Sequence, residues 1–126
     1  MKLGFIGTGN ISSDVVHGIC NSKISFKKII LSPRNKNKAL KLKKKFKKVV
    51  VAKSNQEVID KSDWIFLGVL PQIGEKILPS LKFKSKQTVV SFISTINYTK
   101  LKKIIKKEIK IVRAIPMPPI SVSYTH

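Results

Sequence analysis

The chain has 126 residues, enough for one domain that buries roughly two-thirds of the surface its unfolded form exposes. Hydrophobic residues make up 42% of it, yet no apolar run approaches the ~18 residues that cross a bilayer, so a membrane-spanning helix is excluded. The formal charge of +20, from 26 Lys and Arg against 6 Asp and Glu, raises the question of a polyanionic partner.

The first predicted element is a strand, Lys2–Gly7, whose apolar run Leu3 to Ile6 enters Gly7-Thr8-Gly9-Asn10-Ile11-Ser12. A strand that turns sharply into a helix gathers free backbone N–H groups and the positive end of the helix dipole at one point. A pyrophosphate binds there without a cationic side chain. Gly7 lets the chain turn, Gly9 lets backbone approach the phosphates, and the small Ser12 holds the third position of the G-x-G-x-x-G pattern. The helix, from about Ile11 to Asn21, is expected to bury Ile11, Val15 and Ile19, with Val16 and Cys20 widening that face. A plain turn uses the same glycines; the strand before and helix after favour a dinucleotide.

A second strand, Ile29–Ser32, ends in Ser32-Pro33-Arg34-Asn35. NAD-binding units place a carboxylate there, about 20 residues past the glycines, to accept the ribose hydroxyls. This chain has no Asp or Glu between Asp14 and Glu57. Ser32, Arg34 and Asn35 stand there instead, and a guanidinium fork binds phosphate oxygens bidentately. That chemistry selects NADP(H) over NAD(H). The competing reading makes Arg34 one surface cation among many and Ser-Pro a simple turn.

A basic helix from about Lys36 to Lys47 follows, with Leu42 and Phe46 on one side and Lys41, Lys44, Lys45 and Lys48 around the rest. With 7% aromatic residues and no aromatic-and-basic cluster to stack bases, a nucleic-acid partner is disfavoured. Lysine bias in an AT-rich genome is a simpler source of the charge. The third strand is Val49–Ala52, and Ser54 with Glu57 forms a capping box at the next helix. Trp64–Val69 is apolar throughout and expected to be buried on both faces. Pro71 opens a helix reaching about Leu78. Thr88–Ile93, a helix Thr99–Lys107 and a strand Ile109–Ile115 complete the order.

This alternation predicts an α/β fold, a Rossmann-like doubly wound parallel sheet in three layers, with strand order 3-2-1-4-5-6 and the ligand across the strands' carboxyl ends. Two loops face that crevice. Val69, Leu70 and Pro71 in one, and Ser94 and Thr95 in the other, are candidates to pack on ribose and nicotinamide. Asn55 is a candidate on the adenosine side. Turn and cap chemistry explains the same residues without a ligand. No proton carrier emerges: His17 is expected on the outer side of the first helix and His126 is terminal. No His, Cys or carboxylate set has metal-ligand spacing. The single cysteine, Cys20, makes no intramolecular disulfide and is expected as a buried free thiol. The start of the chain runs directly into the first strand with no signal segment, so a cytoplasmic protein is expected.

Together these residues resemble the N-terminal domain of the pyrroline-5-carboxylate reductase family. Gly4-Phe5-Ile6-Gly7-Thr8-Gly9-Asn10-Ile11 is similar to its glycine motif, and Ser32-Pro33-Arg34-Asn35 to its phosphate turn. Ser54-Asn55-Gln56-Glu57-Val58, Asp63-Trp64-Ile65-Phe66-Leu67-Gly68-Val69 and Val112-Arg113-Ala114-Ile115-Pro116 follow in family order. The resemblance implies hydride transfer from NADP(H) to a cyclic imino acid. It also implies a homo-oligomeric whole enzyme, and a C-terminal helical domain that completes the substrate pocket.

On that reading residues 1–116 are the cofactor domain, residues 117–126 begin a junction, and the chain is a fragment that is inactive alone. Two departures stand out: Leu70 where the family has lysine, and Met117-Pro118-Pro119 where it has Asn-Thr-Pro. Another NADP enzyme of the same fold, such as a deazaflavin-linked reductase or a hydroxyacid dehydrogenase, stays open. So does a nucleotide sensor or a polybasic nucleic-acid binder.

Overall fold

The computed structural model describes residues 1–7, 9–105 and 109–114. Six strands form one sheet: β1 (Lys2–Ile6), β2 (Lys28–Leu31), β3 (Val49–Val51), β4 (Trp64–Leu67), β5 (Thr88–Ser91) and β6 (Lys110–Arg113). Five α-helices connect them: α1 (Asn10–Cys20), α2 (Lys36–Lys45), α3 (Asn55–Asp60), α4 (Pro71–Ile77) and α5 (Tyr98–Ile105). Every strand pair is parallel, and the order is β3-β2-β1-β4-β5-β6. This is the predicted doubly wound sheet. The expected ends at Lys107 and Ile115, and the division at residue 116, lie outside the described residues.

Alternation along the strands builds two cores. Leu3, Phe5, Ile29, Leu31 and Val49 face α1 and α2, packing against Val16, Ala39 and Leu42. Ile6, Ile30, Ile65, Leu67, Val89 and Ile111 face the other way, against Val58, Ile59, Leu101 and Ile105. Each such side chain taken fully from water contributes about 1.5–3 kcal/mol. Phe5 stacks on Phe66 with ring centroids 4.6 Å apart and planes 8° from parallel. The strand order reverses between β1 and β4 while every strand stays parallel, and with right-handed crossovers this puts α1 and α2 on one face and α3, α4 and α5 on the other.

Two expectations are corrected. Ile11 is not on the buried stripe of α1; it is 42% exposed, while Ser12 and Val16 are fully buried, with Val15, Ile19 and Cys20 partly so. The stripe is rotated by one residue because the helix leans its first turn onto β4 through Ser12. Nor is β4 buried on both faces. Ile65 and Leu67 are buried and Phe66 packs partly buried against the α1–α2 core, but Trp64 at the start of the strand is 37% exposed.

Local chemistry sets the helix boundaries. The Ser54 hydroxyl accepts from Glu57 N at 3.1 Å, and Glu57 Oε1 accepts from Lys53 N at 2.6 Å. This is the predicted capping box, its return bond falling one residue earlier than usual. That bond first, and Lys61 second, hold the Glu57 carboxyl below its ordinary value. Asn35 caps α2 by accepting from Lys38 N.

Candidate functional site

The carboxyl ends of β1, β2 and β4 converge on a cleft of about 480 Å³ lined by Gly7, Gly9, Arg34, Asn35, Lys36, Asn37, Gly68, Val69, Leu70 and Ile73. It lies where the order reverses, as the strand topology requires. Gly7 has φ +93, and a Cβ there would come within 2.6 Å of Val69 Cγ1, so the turn closes only with glycine. Gly9 is the opposite case: a Cβ built on it meets nothing within 4 Å and would protrude into open space. Gly9 is also the N-cap of α1 and has no side chain to satisfy the first-turn amides. Those amides and the helix dipole are therefore left for an anion.

The second turn is tied to the first. Ser32 N donates to Phe5 O at 3.0 Å, and Ser32 Oγ accepts from Gly7 N at 2.8 Å. Ser32 is fully buried, so its hydroxyl braces the glycine turn. Arg34, Asn35, Lys36 and Asn37 follow on the exposed rim. No carboxylate lines the cleft, and two cations do. Lys36 and Asn37 were not singled out from the sequence; their place in the first turn of α2, directly after the phosphate-type turn, was the available signal.

Other candidates lie outside the lining. Asn10 Oδ1 accepts from Lys38 Nζ, tying α1 to α2. Asn55 is partly buried at the start of α3, its Oδ1 enclosed and without a hydrogen-bond partner among the described residues. Pro71 is the first residue of α4. Ser94 and Thr95 are exposed beyond β5, where Arg113 Nη2 donates to Ser94 O at 2.6 Å. Thr8 lies outside the described residues.

Among the described residues no group of His, Cys, Asp and Glu could hold a metal ion, and no helix is long and apolar enough to cross a membrane. His17 is half-buried, with Nδ1 2.9 Å from the Ser13 carbonyl oxygen. Burial pushes the Cys20 thiol up, with Lys48 opposing. The hollow between α1 and α2 gathers Lys38, Lys41 and Lys45 together with Asp14 and His17, and no Phe, Tyr or Trp lines it.

The family model described as NADP oxidoreductase, coenzyme F420-dependent, matches residues 2–98. The chain belongs to that family. Among similar proteins, pyrroline-5-carboxylate reductase 3 of Danio rerio is 32% identical over 94% of this chain and 42% of its own length. The crystal structure of Plasmodium falciparum pyrroline carboxylate reductase with NADP bound superposes with TM-score 0.79 at 30% identity, covering 97% of this chain and 44% of that one. A pyrroline-5-carboxylate reductase from Coxiella burnetii gives TM-score 0.84 at 27% identity, covering 95% and 45%. The chain thus spans less than half the length of the relatives it matches. The resemblance read from the glycine turn and its companion segments extends over nearly all of it.

Proposed function

We propose that this chain is the NADPH-binding part of a reductase that passes hydride to the C=N carbon of pyrroline-5-carboxylate or a close cyclic imino acid. The carrying observation is the acid-free, cation-lined end of β2 beside the glycine turn. The substrate class is that of the relatives, which are pyrroline-5-carboxylate reductases. A cytoplasmic setting fits the partly buried free thiol of Cys20.

The residues present suit the cofactor: the open space over Gly9, the uncapped start of α1 and the Arg34–Lys36 rim match a pyrophosphate and a 2′-phosphate in turn. When bound, the reduced nicotinamide supplies the hydride. The chain's own residues bind and orient. Amides at Gly9 and the first turn of α1 hold the pyrophosphate, Arg34 and Lys36 hold the 2′-phosphate, and Ser32 keeps both turns in register. Val69, Leu70 and Ile73 form the apolar wall that excludes water from the reacting end. Asn10, Ile11, Asn55, Pro71, Ser94 and Thr95 follow these strand ends and serve as secondary contacts. Proton delivery and most of the imino-acid pocket belong to the length that the relatives carry in addition.

Titrating the chain with NADPH and with NADH, by coenzyme fluorescence, tests the assignment. A charge-assisted phosphate contact contributes about 1.5–3 kcal/mol, discounted for the exposure of Arg34 to roughly one tenfold step. Arg34→Ala should therefore weaken NADPH about tenfold and NADH less than about twofold. Equal losses for both coenzymes would remove the phosphate assignment.

A further inference from the structure

Charge is divided unevenly between the two sides of the sheet. The ion pairs among the described residues, Glu57–Lys61, Asp60–Lys84 and Glu75–Lys100, all draw their acids from α3 or α4. On the other side α2 carries no acid at all, and its charge is costly to the helix. Lys36 and Lys38 stand in the first turn, where the helix dipole repels cations. Lys41 and Lys45 are four residues apart on one face, a like-charge pair that weakens a helix. An anion bound along that face would relieve both.

Part of this charge is gathered into a concave place. Lys38, Lys41 and Lys45 recur at i, i+3 and i+7, so they form one row, and the row lines the hollow of about 600 Å³ between α1 and α2. The facing wall is Ser13, Asp14 and His17 of α1. His17 donates from Nδ1 to the Ser13 carbonyl oxygen at 2.9 Å, which fixes the ring and leaves Nε2 for another partner. Asp14 forms no ion pair with any of the three lysines among the described residues, so the row stays unneutralised. Contacts between the helices close both ends of the hollow. Lys38 donates to Asn10 at one end, and His17 stands edge-on to Phe46 at the other, with ring centroids 5.3 Å apart. The hollow shares no lining residue with the cleft at the glycine turn.

We infer that this hollow is a second anion site, which takes a compact chain of phosphate groups. The lysine row spans roughly 10 Å of helix, at about 1.5 Å per residue, and a short oligophosphate lies along it. The closed ends select a compact ligand over a polymer that would have to run on past Asn10 and Phe46. Lys41 and Lys45 supply charge-assisted bonds, Ser13 and His17 supply neutral ones, and Asp14 disfavours any anion that fills the α1 wall as well. The site stands independently of the reductase reading, which NADPH titration tests on its own.

The test titrates the chain with inorganic tripolyphosphate at about 0.15 M salt, reading the His17 ring and the Ser13 and Lys41 amides by heteronuclear NMR. These signals should move together along one saturating curve, half-complete below about 1 mM. Lys41→Gln with Lys45→Gln should weaken the curve about tenfold or more. Glutamine is as good a helix former as lysine, so α2 keeps its fold in that variant. Lys102→Gln with Lys103→Gln removes the same charge from α5 and should change the curve by less than about twofold. Asp14→Asn should tighten it several-fold.

Absence of a saturable shift at His17 overturns the inference. So does equal weakening by the two lysine pairs, which would make the effect the general field of a +20 chain. Shifts confined to the Gly9 and Arg34 turns would put the anion in the other cleft and overturn it too. A single-stranded oligonucleotide that moves the same signals at lower concentration than an inorganic polyphosphate of equal charge would mark a nucleic-acid face instead, and the compact site would fall.

Discussion

Gly68 and Ser12 make a pair whose coupling can be calculated from their geometry. A Cβ at Gly68 would lie 2.3 Å from Ser12 Oγ, but 3.6 Å from both Ser12 Cβ and Phe92 Cδ2, which is ordinary contact. The Ser12 hydroxyl is fully buried and has no hydrogen-bond partner among the described residues. Gly68→Ala alone should therefore destabilise the fold by about 1–3 kcal/mol, the usual cost of overpacking.

Ser12→Ala removes both the obstruction and a buried unpaired polar group, which costs about 1–3 kcal/mol to keep, and it favours the helix by a few tenths more. It should stabilise by about 1 kcal/mol or more. In that background Gly68→Ala should be close to neutral, giving a coupling of about 1–3 kcal/mol. Urea unfolding of the four chains, followed by far-ultraviolet circular dichroism, measures the cycle. Additivity of the two changes within about 0.5 kcal/mol, or a destabilised Ser12→Ala, would refute the contact and the orphaned hydroxyl together.

Two further outcomes concern stability. Lys86 sits at φ 74 just before β5; Lys86→Gly should raise stability by up to about 1 kcal/mol in the same unfolding assay, because only glycine occupies that region without strain. Glu57 is held below its ordinary 4.5 mainly by the Lys53 amide. The unfolded chain thus takes up the proton first as acid is added. Its stabilisation is full above pH 4.5 and disappears as pH falls through the lowered folded value. Acid unfolding of Glu57→Gln should lose that part of the pH dependence.

Strand order and the place of the cleft were legible because they follow from alternation of apolar runs with helical patterns, which tertiary contacts rarely overturn. Arg34 was legible from chemistry: a cation stood where an acid would otherwise accept hydroxyls. The place of Ser32 at the end of β2 was legible, but its bond to the Gly7 amide was not, since sequence shows a hydroxyl and not which donor it meets 25 residues away. The shift from Ile11 to Ser12 on α1 escaped notice because a polar residue on an apolar stripe is invisible to a hydrophobic pattern. The openness of Trp64 escaped for the opposite reason. An all-apolar strand signals that both faces want cover, not that both receive it from the residues at hand.

The bond from Gly7 N to Ser32 Oγ bears on any attempt to retune coenzyme preference. Ser32, which opens the turn proposed to select the coenzyme, is also a structural fastener of the glycine turn beside it. Transplanting a foreign turn that begins with an aliphatic side chain would strand a buried amide and loosen the pyrophosphate cradle at the same stroke. On the proposed function, coenzyme preference is open to change at Arg34 and beyond, while position 32 is committed to its bond with the Gly7 amide.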